Sequence, residues 1–122
     1  MGTVAVCMDD FGGLTTNGNA VRTYACNDTA AQQWTLVESG STVRNQGKCL
    51  DARNGGTANG TPLDLWTCNG TGSQVFIPGG DSDTLYNPQS GKCVDIPGNT
   101  LQFVNLDLYD CNGTLAQVWN WD

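Results

Sequence analysis

The sequence contains no histidine and has few basic residues. It has 122 residues, with five Lys or Arg against twelve Asp or Glu and a formal net charge of −7. Without His, Ser-His-Asp and Cys-His catalysis and any His-containing zinc site are excluded. Because phosphate binding needs a basic surface, nucleic acid is not an expected partner.

Long apolar stretches are also missing. The sequence has no run of eighteen or more apolar residues and no charged-then-apolar leader, so neither a membrane span nor a signal peptide is expected within it. Apolar residues do not recur at helical spacing for more than a turn, and Gly, Pro, Asn and Thr interrupt the chain at short intervals. This pattern predicts an all-β fold with helix limited to short turns.

One motif is present in three copies. Each copy has Cys-x-Asp, then aromatic-x-Cys-Asn, then Gln-x-aromatic; in the middle copy these are Cys49–Asp51, Trp66–Asn69 and Gln74–Phe76. A period of roughly 40 residues indicates repeated units that share one core. We therefore predict a single domain, 1–122, with repeats at approximately 1–38, 39–80 and 81–122.

The six cysteines follow the same period, two in each repeat. Among the possible pairings, one respects the repeat: Cys7–Cys26, Cys49–Cys68 and Cys93–Cys111. Each such loop closure stabilises by about 3 kcal/mol on an entropic model. Disulfides predict an oxidising compartment, so we expect a secreted, extracellular protein.

Four short strands are predicted in each complete repeat. They are Thr42–Asn45, Lys48–Asp51, Leu63–Thr67 and Gln74–Ile77 in the second repeat, and Thr84–Asn87, Lys92–Asp95, Leu106–Asp110 and Gln117–Trp121 in the third. The first repeat is short at its start, where Thr3-Val4-Ala5 would form a weak edge that a neighbouring domain could cover. Twelve strands in three copies are most economically a closed barrel with a hairpin cap.

Three Gln-x-Trp-like motifs in phase with six Cys resemble the ricin B-type β-trefoil lectins, whose bacterial members are the family 13 carbohydrate-binding modules. The middle motif is Gln-x-Phe, and the resemblance covers essentially the whole chain. It implies a β-trefoil of three four-stranded lobes that binds carbohydrate, without a cofactor and without catalysis. It also implies that Trp34, Phe76 and Trp119 belong mainly to the core.

In that family the Asp after the first Cys, the aromatic before the second Cys and the following Asn commonly contact sugar, and the motif Gln lies close by. The implied sugar-binding residues are Asp9, Tyr24, Asn27, Gln32, Asp51, Trp66, Asn69, Gln74, Asp95, Tyr109, Asn112 and Gln117. These types suit a saccharide, because a carboxylate accepts from neighbouring hydroxyls, a ring offers a flat wall and an amide both donates and accepts.

Each of these residues also has a purely structural interpretation. An Asp before a Gly/Asn-rich loop is often a turn cap, an aromatic beside a half-cystine is often packing, and Asn-Gly is a favourable turn sequence. The sequons at Asn27, Asn59, Asn69 and Asn112 are interpreted as turns of this kind. Recurrence of all three types in all three copies favours binding.

Two departures from the family pattern bear on the ligand. Ala31, Ser73 and Ala116 precede the motif Gln, where plant galactose-binding sites usually have Asn, so the sequence does not predict galactose. Arg22 stands where the other repeats have Asp64 and Asp107, which predicts an electrostatically distinct first site.

The sequence therefore predicts a non-catalytic module with up to three sugar sites, attached to a secreted enzyme that degrades xylan, galactan or arabinan. A monomer is expected, with a covalently linked catalytic domain and no membrane partner. One alternative is a glycosidase with paired carboxylates, for which Asp64 and Asp107 could be second acids, although both are expected on strand surfaces. The other is a protein-binding or inhibitory β-trefoil.

Overall fold

The structure, a computed structural model, describes residues 6–79, 83–100 and 102–119. Its strands are β1 (Val6–Asp10), β2 (Asn19–Ala25), β3 (Thr35–Val37), β4 (Thr42–Asn45), β5 (Lys48–Ala52), β6 (Leu63–Trp66), β7 (Ile77–Pro78), β8 (Leu85–Asn87), β9 (Lys92–Asp95) and β10 (Asp107–Asp110). Helix in these residues is limited to three-residue 3-10 turns: Phe11–Gly13, Ala30–Gln32, Arg53–Gly55, Gly72–Gln74, Pro97–Asn99 and Leu115–Gln117. The prediction of an all-β fold with short turns is confirmed.

Three equivalent antiparallel strand pairs carry the repeated motif. The first lobe contains β1 and β2, the second β5 and β6, and the third β9 and β10. In every pair the first Cys lies opposite the motif aromatic: Cys7 opposite Tyr24, Cys49 opposite Trp66 and Cys93 opposite Tyr109. The periodic sequence thus produces a periodic register.

The three lobes are joined in a ring through their second strands. Strands β2 and β6 pair directly, the Leu106 amide donates to the Val21 carbonyl at 2.9 Å, and the Leu63 amide donates to the Leu106 carbonyl at 3.0 Å. Two further hairpins, β3–β4 and β7–β8, connect successive lobes. This is the β-trefoil that the resemblance implied.

The core is formed by apolar side chains from all three lobes. The side chains less than 2% exposed include Met8, Val21, Val43, Leu50, Leu63, Leu65, Phe76, Leu85, Val94, Leu106, Leu108 and Trp119. The Trp119 indole donates to the Val94 carbonyl at 3.1 Å, and Trp34 donates to the Met8 carbonyl at 2.9 Å, so both buried N–H groups are satisfied. The core role expected for the motif aromatics is confirmed.

The disulfides pair as the repeat predicted. Cys7–Cys26, Cys49–Cys68 and Cys93–Cys111 have Cα–Cα distances of 5.1, 5.1 and 5.2 Å. Each bond ties the start of one strand in the pair to the Cys two residues after the motif aromatic, and thereby holds the two ends of a candidate site together.

The strand predictions for the Gln-x-aromatic segments were wrong. Gly72–Gln74 and Leu115–Gln117 are 3-10 turns, and only Ile77–Pro78 forms a strand after the second motif. The turn directs the Gln side chain back to the preceding backbone, which an extended strand would not allow. Residues 120 and 121, the end of the predicted Gln117–Trp121 strand, and the predicted opening strand Thr3-Val4-Ala5 lie outside the described residues.

Candidate functional site

The Asp and the aromatic of each motif lie on paired strands. In the second lobe Asp51 pairs with Asp64 and Cys49 pairs with Trp66. Alternate side chains of a strand share a face, so Asp51 and Trp66 are diagonal neighbours on the face opposite to the core leucines. Asp51 is only 6% exposed, whereas Trp66 is 39% exposed. The pairing therefore places the buried Asp51 carboxylate beside the exposed Trp66 ring.

The motif Gln fastens the end of each lobe to its own backbone. In the second lobe the Gln74 Oε1 accepts from the Asn69 amide at 3.0 Å, and its Nε2 donates to the Thr67 carbonyl at 3.0 Å. The same two bonds are made by Gln32 with Asn27 and Ala25, and by Gln117 with Asn112 and Asp110. These buried Gln side chains are mainly structural and fix the position of the neighbouring Asn.

The partner that holds the Asp differs between lobes. Gln32 Nε2 donates to Asp9 Oδ1 and Gln117 Nε2 donates to Asp95 Oδ1, each at 3.2 Å. In the second lobe the hydroxyl of Ser73 donates to Asp51 Oδ1 at 3.0 Å instead. The motif Gln, which was expected to lie close to the site, therefore bonds the Asp in two lobes. In the second lobe that role belongs to Ser73, one of the residues that depart from the galactose pattern.

Each motif Asn uses the oxygen of its side-chain amide to form a turn. In the second lobe Asn69 Oδ1 accepts from the Thr71 amide at 3.1 Å and from the Thr71 hydroxyl at 2.8 Å. Asn27 and Asn112 make the same pair of bonds to the Thr two residues on. This turn explains the recurrent Asn-x-Thr pattern, and it leaves the Nδ2 group as the donor available to a ligand.

The second lobe has an open pocket of about 320 Å³. It contains three of the predicted residues, Asp51, Trp66 and Asn69. The sequence interpretation missed the other lining residues, which are Asn54, Gly55, Thr71, Ser73 and Gln89. Thr71 and Ser73 lie just before the motif Gln, and this position next to the motif is the sequence signal that could have identified them.

Gln89 comes from the third lobe. Its Nε2 donates to the Gly55 carbonyl at 3.2 Å across the edge of the second pocket. A Cβ at Gly72 would collide with the Gln89 side chain, so glycine at this position leaves the room that the approach requires. No local sequence signal predicts this residue, because the contact depends on how two lobes pack.

The third lobe has a similar pocket of about 350 Å³. Asp95, Tyr109 and Asn112 lie in it, together with Asp107 and the turn around Pro97. Tyr109 is 44% exposed, so its ring is open to a ligand as Trp66 is. The predicted set of the third repeat is thus brought together.

The first lobe places its own side chains over the equivalent position. Arg22 Nε lies 3.1 Å from Asp9 Oδ2, and the Arg22 guanidinium carbon lies 4.1 Å from the Phe11 ring centroid and 4.4 Å from that of Tyr24. Phe103, from the segment before β10, packs on Tyr24 with ring centroids 4.5 Å apart. Asp9 and Tyr24 are close together as predicted, but both already have protein partners.

Asp64 and Asp107 were expected on strand surfaces, and for Asp64 this was wrong. Asp64 is 1% exposed and faces Asp51, whereas Asp107 is half-buried and lines the pocket of the third lobe. The Oδ1 atom of each residue is buried with no hydrogen-bond partner among the described residues. The strand face that carries Asp64 is covered in the folded protein. This covering depends on tertiary packing that the alternating pattern of one strand does not reveal.

Burial and paired charge change the acidity of these two groups. Burial and then Asp51 raise the pKa of Asp64 to about 7, and the guanidinium of Arg53 partly opposes the rise. Burial and then Asp95 raise the pKa of Asp107 to about 7. The raised pKa of Asp64 and of Asp107 favours the protonated form of each acid below neutral pH.

The arrangement suits binding more than glycoside hydrolysis. Hydrolysis needs two carboxyl groups about 5–10 Å apart on either side of the scissile bond. Asp51 and Asp64 instead lie directly opposite each other on one face of a strand pair, and of the two only Asp51 lines the pocket. A ring, a carboxylate and an amide donor around a shallow pocket can hold the apolar face and edge hydroxyls of a sugar.

The chain matches the ricin-type beta-trefoil lectin domain over residues 3–121. It therefore belongs to this family, and its lectin relatives support carbohydrate binding. Domains of this family are generally non-catalytic binding modules. None of the curated proteins matches the chain significantly.

Several solved structures share the fold. Agglutinin from Abrus precatorius is 25% identical with a TM-score of 0.86, and the match covers 98% of this chain and 45% of that one. The designed threefold-symmetric protein ThreeFoil is 26% identical with a TM-score of 0.85, covering 92% and 86%. A non-toxic homologue of type II RIPs from Momordica charantia, solved with α-methyl-D-galactoside, is 25% identical with a TM-score of 0.82, covering 98% and 44%.

This chain thus spans less than half of the two plant proteins. Within the part of the chain that the structure describes, no helix is long and apolar enough to cross a membrane. The three disulfides are compatible with an extracellular location.

Proposed function

We propose that the protein is a non-catalytic polysaccharide-binding module whose second and third lobes carry the principal sugar sites. The observation that supports this most is the convergence of Asp51, Trp66 and Asn69 in one open pocket. Asp51 supplies a carboxylate already held by Ser73, so little ordering is needed when a hydroxyl donates to it. Asp95, Tyr109 and Asn112 repeat this set in the third lobe.

The first lobe is a weaker site in this proposal. Arg22 neutralises Asp9 and covers part of the Tyr24 ring, so a sugar would compete with contacts that already exist. Asp9, Tyr24 and Asn27 remain its candidate ligand contacts, and Gln32 supports them through its bonds to Asp9 and Asn27. The first lobe is expected to add affinity only when another lobe already holds the same polymer.

Binding to a polymer compensates for weak individual sites. A shallow pocket removes little apolar surface from water, so each site alone should have low affinity. Two or three sites on one rigid body raise the effective concentration for the second contact. The module would thereby hold a linked catalytic domain on xylan, galactan or arabinan. It would act as a monomer in the extracellular space.

Affinity gel electrophoresis against soluble xylan, galactan, arabinan and mannan tests this function. We expect retardation by at least one polymer, and a loss of affinity of about tenfold or more in Asp51→Ala, because hydrogen bonds to charged groups contribute about 1.5–3 kcal/mol. Asp95→Ala should act similarly and Asp9→Ala less. Circular dichroism establishes that each variant is folded.

Glu38→Ala is the matched control, since Glu38 is an exposed acid in the turn between β3 and β4, outside the pockets of the second and third lobes. It should migrate as the wild type does. Unchanged retardation of a folded Asp9, Asp51 and Asp95 triple Ala variant would overturn the site assignment. Hydrolysis of any of the four polymers by the domain would overturn its non-catalytic character.

A further inference from the structure

We propose that Asp64 and Asp107 are positioning residues, each sharing a proton with the sugar-contacting Asp opposite to it and so holding that carboxylate in place. The inference rests on the proposed function, in which Asp51 and Asp95 accept hydrogen bonds from sugar hydroxyls. It adds a second residue to each site and makes the protonation of that residue a condition for binding.

The strand register places the acids of each pair face to face. Asp51 lies opposite Asp64 across β5 and β6, and Asp95 lies opposite Asp107 across β9 and β10. Residues directly opposite in an antiparallel pair are the closest neighbours between strands, and two ionised groups there repel. Two independent lobes place an acid in this unfavourable position, so each pair needs a compensating group.

The buried oxygens indicate that the compensating group is a proton. Oδ1 of Asp64 and Oδ1 of Asp107 are buried and receive no hydrogen bond from the described residues. A buried acceptor without a donor is costly, whereas a protonated carboxyl oxygen is itself a donor and needs only an acceptor. The carboxylate across the strand pair, Asp51 or Asp95, is that acceptor.

Few other charged groups face these acids. Around Asp64, Arg53 from the turn after β5 donates to Oδ2 at 3.3 Å, and the neighbouring strand β2 contributes the uncharged Ala20. Around Asp107, the backbone on the far side is that of Pro62, which is also uncharged. The pKa of about 7 for each acid agrees with a proton held by the pair up to neutral pH.

The proton has a direct consequence for the ligand. In the second lobe Ser73 holds one oxygen of Asp51, and a hydrogen bond from protonated Asp64 would fix the carboxylate further, leaving its remaining lone pairs directed at the pocket. Loss of the proton puts two like charges in contact and pushes Asp51 away from this position. Binding by the second and third lobes should therefore weaken as the pH rises above about 7.

The first lobe provides an internal comparison. Arg22 occupies the strand position of Asp64 and Asp107, so Asp9 is held by an ion pair and needs no proton. Arg22→Asp would create a third acid pair in the same register. This variant should gain one carboxyl group that titrates near neutral pH, which a merely structural role of Asp64 and Asp107 would not predict.

Carbon-13 NMR of the Asp carboxyl groups tests the shared proton without any ligand. The full chain, with labelled Asp, is titrated from pH 4 to 9, and Asp64→Asn and Asp107→Asn assign the signals. We expect one carboxyl signal of each pair to titrate near pH 7, with a coupled shift in its partner that disappears in the Asn variant. Titration of Asp64 and Asp107 near pH 4 would overturn the proposal.

Affinity electrophoresis at pH 5 and pH 8.5 on soluble xylan, galactan, arabinan and mannan tests the effect on binding. The wild type should lose at least about threefold in affinity at the higher pH. The Asp64→Asn and Asp107→Asn double variant should change little, since Asn donates a hydrogen bond at every pH. Equal loss in both proteins would overturn the positioning role while leaving the proposed function intact.

Absence of retardation on all four polymers at both pH values would overturn the proposed function and, with it, the effect on binding. The NMR titration still decides whether the proton is shared. Should the double variant fail to fold, the single variants and Arg22→Asp carry the same comparison.

Discussion

The first and second lobes have the same framework and use it differently. Both have a disulfide, a motif Gln that fastens the lobe end and an Asp opposite an ionisable residue on the paired strand. In the first lobe that residue is Arg22, which pairs with Asp9 and stacks on two rings. In the second it is Asp64, and there the Trp66 ring is exposed and lines an open pocket.

The comparison separates the framework from the ligand chemistry. Bonds from the motif Gln to the backbone occur in every lobe, so they belong to the fold. The contacts of the Asp vary, with Gln32 and Arg22 in the first lobe and Ser73 and Asp64 in the second. One strand position opposite the Asp therefore changes the charge of a site without changing the backbone around it.

The largest effect is expected from removing the shared framework. Gln74→Ala leaves the Asn69 amide and the Thr67 carbonyl without the buried side chain that pairs with them, and each group left without its partner costs about 1–3 kcal/mol. We expect a loss of about 2–4 kcal/mol in the free energy of unfolding, measured by urea denaturation.

Gln32→Ala should cost a similar amount, because it breaks the same backbone bonds in the first lobe. A much smaller cost in one lobe would show that the framework is not equivalent between them. Gln33→Ala, an exposed neighbour of Gln32, is the control and should cost less than about 0.5 kcal/mol.

An intermediate effect is expected from pH. Asp64 and Asp107 have a higher pKa in the folded protein, about 7, than the ordinary value of 3.8, so the folded state binds more protons between these values. Their contribution to stability is fully present below about pH 4 and is lost as the pH rises through about 7. The Tm should therefore fall by at least about 5 °C between pH 5 and pH 8.

The variant series isolates that contribution. The pKa of Asp10, in the first lobe, is also raised by burial, so part of the pH dependence remains in every variant. The Asp64→Asn and Asp107→Asn double variant should lose the larger part, as measured by thermal melts at both pH values. An unchanged dependence of Tm on pH in the double variant would show that Asp64 and Asp107 do not cause it.

The smallest effect is expected from Ser73. Ser73→Ala gives the second lobe the residue that the other lobes have before the motif Gln, and it removes the hydroxyl that donates to Asp51. The expected cost is about 1 kcal/mol in stability and a few-fold loss in polysaccharide affinity. Ala31→Ser in the first lobe is the reciprocal variant, and it should improve neither quantity because Gln32 and Arg22 already hold Asp9.

The sequence alone determined the features that depend on spacing within one repeat. The period, the three disulfides and the strand pair from Cys49 to Trp66 follow from residues that are close in sequence, and the register of each pair followed from them. The family pattern also located Asp51, Trp66 and Asn69, which do share a pocket. Local chemistry suffices for these features because a short loop and a disulfide leave few alternative registers.

Only the tertiary structure decided the features that depend on packing between turns, strands and lobes. The side chain of Gln89 reaches the second pocket from another lobe, Arg22 is held between two rings, and Asp64 is buried against Asp51 instead of exposed. A strand pattern gives the face on which a side chain lies but not what covers that face. Burial then changes the protonation of an acid. The sequence therefore identified the residues, whereas their protonation depends on the tertiary structure.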